Sequence, residues 1–401
     1  MSENTTPAPV ALRSQPLRAG SLRELAAFFL RLGVTAFGGP AAHIAIMEDE
    51  LVRRRQWLTR EKFLDLLGAS NLIPGPSSSE LAIHIGYQRA GFAGLLVAGV
   101  CFILPAFVMV SAFAWAYVRF GHLPAISALL YGVKPVVIAV ILQALWGLGR
   151  AAVKSSLLAA VGLVATILAF AGLHPLLLLL LAGVAVALTK IDFHRAGITG
   201  FAPIARLHRA RNLGALLTAV ASAPATVSLG SLFLVFLKVG AVVFGSGYVL
   251  LAFLRTDLVL HRAWLTDAQL VDAVAVGQVT PGPVFTTATF IGYLLAGMRG
   301  ATVATAGIFL PAFILVALSG PIVFGIRKSP IAGAFLDGVN VASLALMVAV
   351  SWQLARASIV DLRAAVLAAV SLVLLLRFRV NSAWLVLGGA LIGILTRRFF
   401  S

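Results

Sequence analysis

The triplet Pro74-Gly75-Pro76 returns 207 residues later as Pro281-Gly282-Pro283, and it does not return alone. At the same offset Leu32-Gly33 matches Val239-Gly240, Phe37-Gly38-Gly39-Pro40 matches Phe244-Gly245-Ser246-Gly247, and Trp57-Leu58-Thr59 matches Trp264-Leu265-Thr266. Asp65 likewise falls on Asp272. After a one-residue deletion the offset becomes 206, aligning Gly86, Gly91 and Gly94 with Gly292, Gly297 and Gly300, and Leu104-Pro105-Ala106-Phe107 with Leu310-Pro311-Ala312-Phe313. Farther on, Gly132-Val133 meets Gly338-Val339 and Trp146 meets Trp352. Whatever this chain folds into, it is built twice from one pattern.

The solvent of that pattern is lipid. With 60% hydrophobic and 11% charged residues and a mean hydropathy of +1.01, the chain has too little polar material to coat a soluble globule. It supplies roughly ten to twelve stretches approaching the ~20 apolar residues of a spanning helix. The expected fold is an all-α integral membrane protein of two homologous multi-span repeats. Residues 1–20 read as a disordered polar tail without a signal peptide, 21–190 as the first repeat, 191–226 as a basic cytoplasmic linker and 227–398 as the second repeat. The net charge of +17 sits in short loops, the tail and the linker. That is the positive-inside pattern, a field that also attracts anions, and it calls for no nucleic-acid partner. The single cysteine, Cys101, allows no disulfide framework or thiolate metal site.

In each copy the first two apolar segments are interrupted by Gly and Pro. At membrane depth such breaks are tolerated only where freed backbone groups face protein or a water-filled cavity. Breaks within internal repeats favour inverted copies and alternating access. Simple parity adds a condition: one crossing broken segment per copy gives inverted repeats, both or neither gives parallel ones. The basic stretch 50–62 argues for a cytoplasmic loop. The last two segments of each copy are short, little tilted or packed as hairpins.

Pro-Gly-Pro ends one helix and suits the start of another. The half-helices beginning near Ser77 and Val284 would aim their N–H groups and positive dipole ends into the membrane interior, beside hydroxyl donors. That chemistry suits a tetrahedral oxyanion. The candidate binding set is Asn71, Pro74, Gly75, Pro76, Ser77, Ser78 and Ser79 with Gln278, Thr280, Pro281, Gly282, Pro283, Thr286 and Thr287, joined by Gly38, Gly39, Pro40, Gly245, Ser246 and Gly247 at the Phe-Gly breaks. Lys134 lies mid-span with Asn340 as its mate, and a buried cation marks a pathway or a counter-ion. Arg31, Lys238 and Glu80 are candidates for charge or coupling. His43 and His84 have no mates and read as fillers. Asp65 and Asp272 read as caps or loop salt bridges. No Walker A, zinc-protease, Cys-x-x-Cys or nucleophile-elbow motif is present, so an enzyme, a metal site, a cofactor and ATP-driven transport by this chain are not expected.

These motifs together resemble the chromate ion transporter family in its long, two-repeat form, over nearly the whole chain from Ser21. Ser246 stands where the family pattern has a second glycine, and Asn71 where glutamine is common. The resemblance implies a multi-pass carrier of the bacterial inner membrane that expels chromate and confers resistance. Carriage of sulfate or another oxyanion, or a passive anion channel, is the alternative. Partners would be the oxyanion and the bilayer, and a homodimer is compatible with these features.

Overall fold

A computed structural model describes residues 20–37, 39–121, 123–190, 227–243, 249–326, 330–378 and 380–400. The linker 191–226 and nearly all of the expected tail lie outside them. Among the described residues every regular element is helical. Copy one comprises α1 (Gly20–Thr35), α2 (Gly39–Glu48) running into a π turn (Asp49–Arg54), α3 (Arg60–Ser70), α4 (Ser77–Phe120), α5 (Pro124–Ala152), α6 (Ser156–Phe170) and α7 (Pro175–Leu188). Copy two comprises α8 (Leu229–Val242), α9 (Leu250–Leu254) with its π turn (Arg255–His261), α10 (Asp267–Val279), α11 (Thr287–Ile326) preceded by a 3-10 turn (Val284–Thr286), α12 (Pro330–Ser358), α13 (Leu362–Arg377) and α14 (Ser382–Phe400).

The broken segments are hairpins. Phe28, Arg31 and Thr35 of α1 line a cleft with Ala45, Ile46 and Asp49, so α2 runs back along α1. Arg89, beyond the Pro-Gly-Pro hairpin, lies 3.8 Å from Glu24 near the start of α1 and 4.3 Å above the Trp57 ring. Both broken segments therefore return to the face they left. The Trp-Leu-Thr motif marks each return: Thr59 and Thr266 cap α3 and α10 by accepting the N–H of Lys62 and Gln269.

α4 then reverses at Ala90 and Gly91 (φ 57°), and α11 repeats the turn at Ala296 and Gly297 (φ 60°). The reversal lays Gly86 against Gly94 and Gly292 against Gly300, where any Cβ would overlap the facing carbonyl. That contact is the physical reason these glycines keep register between copies.

Beyond those turns the mated long helices lie side by side. Leu95 clusters with Val316, Gly99 abuts Phe313, and Phe107 shares a groove with Thr302 and Thr305. Numbers rise along one helix as they fall along the other, so the mates are antiparallel and the axis relating them is perpendicular to the helices. The copies are inverted, as the midplane breaks predicted. The parity condition fails, because neither broken segment crosses and yet the copies are not parallel. It assumed that residues 191–226 join two ends on one face. Instead α7 ends beside Ala334, on the face carrying Lys154, Asp337 and Arg89, whereas α8 starts on the opposite face, that of His174, His261 and Trp264.

The copies also exchange helices. α12 packs on α6 and α7 of copy one, and α5 packs on α13 and α14 of copy two. Gly338 abuts the Ala182 carbonyl and Gly132 the Gly389 carbonyl, so backbones meet through small residues. At the opposite face Asp361 caps α13 and accepts the Tyr131 hydroxyl of α5 at 2.6 Å. That hydroxyl, and then the Ala364 amide, hold its carboxyl below the usual carboxylate range. Gly132→Val is expected to cost about 1–3 kcal/mol by overpacking, read as a lowered Tm of the purified protein in detergent. Gly388→Val, with open space beside it, is the matched control and should leave Tm nearly unchanged.

Candidate functional site

The two Pro-Gly-Pro loops meet the Phe-Gly breaks of the opposite copy. Gly75 N–H donates to the Val243 carbonyl at 2.7 Å, and Gly282 N–H donates to the Ala36 carbonyl at 3.1 Å. Gly75 and Gly282 are repeat mates, and so are Val243 and Ala36, which makes the two bonds a symmetric, crossed pair. Both glycines sit at positive φ (142° and 96°). A Cβ on Gly282 would stand 2.8 Å from the Ala106 Cβ, and one on Gly75 would collide with the Glu80 carboxyl. Glycine is therefore required by backbone angle and by space together.

A histidine set aside as filler completes this centre. His43 is fully buried, with Nε2 3.1 Å from the Ala36 carbonyl and Nδ1 3.2 Å from the Ser78 hydroxyl. A carbonyl only accepts, so Nε2 carries the hydrogen and the neutral ring's Nδ1 accepts from Ser78. One chain of contacts thus runs from Gly282 through Ala36 and His43 to the half-helix of copy one. His43 has no mate in the repeat, which is why the alignment hid it.

Copy one's break opens into a cavity of about 520 Å3 lined by Pro40, Asn71, Ser77, Asn340 and Ser343, with Lys154 and Asp337 paired at 3.0 Å also in its wall. Four expected site residues are thereby brought together. The mates of the same positions are shut. Asn71 is exposed whereas Gln278 is only 7% accessible, and Ser77, itself buried at the cavity wall, is answered by the equally buried but apolar Val284. Asn340 is exposed, whereas Lys134 places Nζ 3.2 Å from Asp272, which also accepts the Tyr117 hydroxyl at 3.0 Å. Copy two's hydroxyls turn inward: Thr280, Thr286 and Thr287 donate to the carbonyls of Val276, Pro283 and Val284.

Several expectations change here. Asp272 is neither a cap nor a loop residue: Thr266 caps α10, and Asp272 is buried five residues into the helix as the counter-ion of Lys134. Lys134 is thus held by a carboxylate in this arrangement and does not line the open cavity. Arg31 lines a separate cleft of about 370 Å3 with Asp49 and Glu50. Lys238 bonds both oxygens of Asp257 at 2.9 and 3.0 Å. Both cations lie where the first hairpin returns toward acidic residues, away from the break. Gly39 adopts φ 74° with open space beside it, while Gly38, Gly245, Ser246 and Gly247 lie outside the described residues.

Inverted repeats, re-entrant hairpins meeting at the centre and a cavity that ends there are an arrangement found among membrane transport proteins. The chain belongs to the chromate transporter family, whose sequence profile matches residues 23–187 and again 230–394, once per repeat. It is 38% identical over 386 residues to a chromate transport protein of Cupriavidus metallidurans, covering 93% of each chain. It is 36% identical to a probable chromate transport protein of Synechococcus elongatus over 86% of this chain and 87% of the relative. Identity is 32% to a chromate transport protein of Pseudomonas aeruginosa, over 84% and 82%. No solved structure matches the chain. Family and apolar helices together make it a multi-pass protein of a bacterial membrane.

Proposed function

We propose that this chain is a secondary carrier that exports chromate from the cytoplasm by alternating access, and so confers resistance. The observation that supports this is the unequal exposure of repeat mates around the crossed Pro-Gly-Pro bonds. In an inverted repeat, exchange of conformation between copies moves the opening from one face to the other. The cavity opens on the face with Arg53, Arg54, Arg55, Arg60 and Lys154, which positive-inside topology assigns to the cytoplasm. Asn71, Ser77 and Asn340 then present uncharged donors to an anion arriving from inside. Lys134, released from Asp272, supplies the cation of the outward-open state. A passive channel needs both ends open at once, whereas in this reading the Lys134–Asp272–Tyr117 cluster closes the far end.

The lone native cysteine makes the test simple. In a Cys101→Ala background, Asn340→Cys is expected to react with a membrane-impermeant thiol reagent from the cytoplasmic side, while Gln278→Cys reacts only from the outside and only when chromate is turning over. Equal labelling of Gln278→Cys from both sides would point to a channel. Chromate flux in proteoliposomes, with pH gradient and voltage set independently and sulfate as competitor, then decides coupling and selectivity.

A further inference from the structure

We propose that Glu80 is a proton site whose occupancy is coupled to anion binding at the neighbouring break, so that one proton crosses with each dianion. This rests on the carrier reading above. Glu80 lies in the first turn of α4 with no accessible surface, and neither carboxyl oxygen has a hydrogen-bond partner or counter-ion among the described residues. One oxygen rests against Gly75, the residue whose N–H ties the two copies together.

The titratable groups around it are otherwise engaged or distant. On its own helix His84, also buried, has an unpartnered Nε2. On α2, His43 is committed to Ser78 and Ala36. α1 carries Arg31 and Glu24, and α3 carries Lys62 and Asp65, none of them bonded to Glu80. On α10, Asp267 and Asp272 pair with Arg255 and Lys134. Between residues 300 and 318, the facing stretch of α11 has no ionisable side chain.

A carboxylate placed so deep without donor or counter-charge is costly, so the site holds the acid. Ionisation would set a negative charge one helical turn from Ser77, which lines the cavity, and repel a dianion. A bound dianion would in turn raise the cost of losing the proton. The two effects are one coupling free energy and are necessarily reciprocal. A dianion carried with one proton moves a single net negative charge, so a negative cell interior still drives it outward.

The experiment uses the purified full-length protein in weakly buffered detergent with an indicator dye, at alkaline pH where chromate is the dianion. Above the pH at which Glu80 ionises in the free protein, wild type is expected to take up close to one proton per chromate bound, and below it none. Its Kd should rise about tenfold per pH unit once Glu80 ionises in the free protein. Glu80→Gln, a permanent mimic of the acid, should bind chromate without uptake and with a flat pH profile, and Glu80→Met serves if that variant does not fold. His84→Gln should retain the uptake. A wild-type Kd that stays flat with no proton uptake across the whole alkaline range in which the protein remains folded, uptake that survives in the Glu80 variants, or uptake lost in His84→Gln overturns the proposal. Failure of wild type to bind chromate at all would instead sink the carrier reading on which it rests.

Discussion

Asp272→Asn is expected to abolish chromate flux in proteoliposomes and to cost about 3–5 kcal/mol of stability, the usual penalty for leaving one charge of a buried pair uncompensated. The charge left behind is Lys134, 3.2 Å from Asp272 and mostly buried. Lys134→Ala should lose flux for the mirrored reason. Combining Lys134→Ala with Asp272→Asn should recover much of the stability, because no orphan charge remains, without restoring transport. A double-mutant cycle on Tm and flux separates the two roles. If Asp272→Asn folds and transports at the wild-type rate, the cluster does not close the outward half.

The second large effect is expected at the crossed bonds. Gly282→Ala should reduce flux at least tenfold and destabilise by roughly 2–5 kcal/mol, combining about 1–2 for an alanine forced to positive φ with about 1–3 for overlap with Ala106. Gly91→Ala isolates the first contribution: its φ is 57° with nothing within 4 Å of the added Cβ. The measurement is chemical or thermal unfolding in detergent beside flux at matched protein amounts. Equal losses from the two substitutions would show that the Ala106 contact and the Ala36 bond add nothing particular.

Much of this architecture was legible because the sequence states it twice. The glycines at 86, 91 and 94 reappear in register, and the structure gives each a backbone contact or a positive φ to account for it. What stayed hidden has one of two physical causes. Asp272 is recognisable only through Lys134, and that contact exists only because copy two's hairpin lies against copy one's α5, which no local pattern announces. His43 was hidden by the same alignment that revealed the rest, since a residue unique to one copy looks accidental until its partners are seen. A third, simpler cause applies to Arg31 and Lys238. Sequence distance from the break suggested proximity, but a chain that doubles back carries them toward Glu50 and Asp257.

The crossed bonds from Gly75 to Val243 and from Gly282 to Ala36 mean that neither copy closes its own centre. A half-length protein with this geometry, standing alone, would need an upside-down copy of itself in the same bilayer. Such a dual-topology protein is bound to symmetry, because any change appears on both faces at once. Joining two copies in one polypeptide fixes which half points which way and lifts that restriction. Ser77 opposite Val284, Asn340 opposite Lys134 and a lone Glu80 opposite Thr287 are the asymmetries that became permissible once the two halves no longer had to be interchangeable.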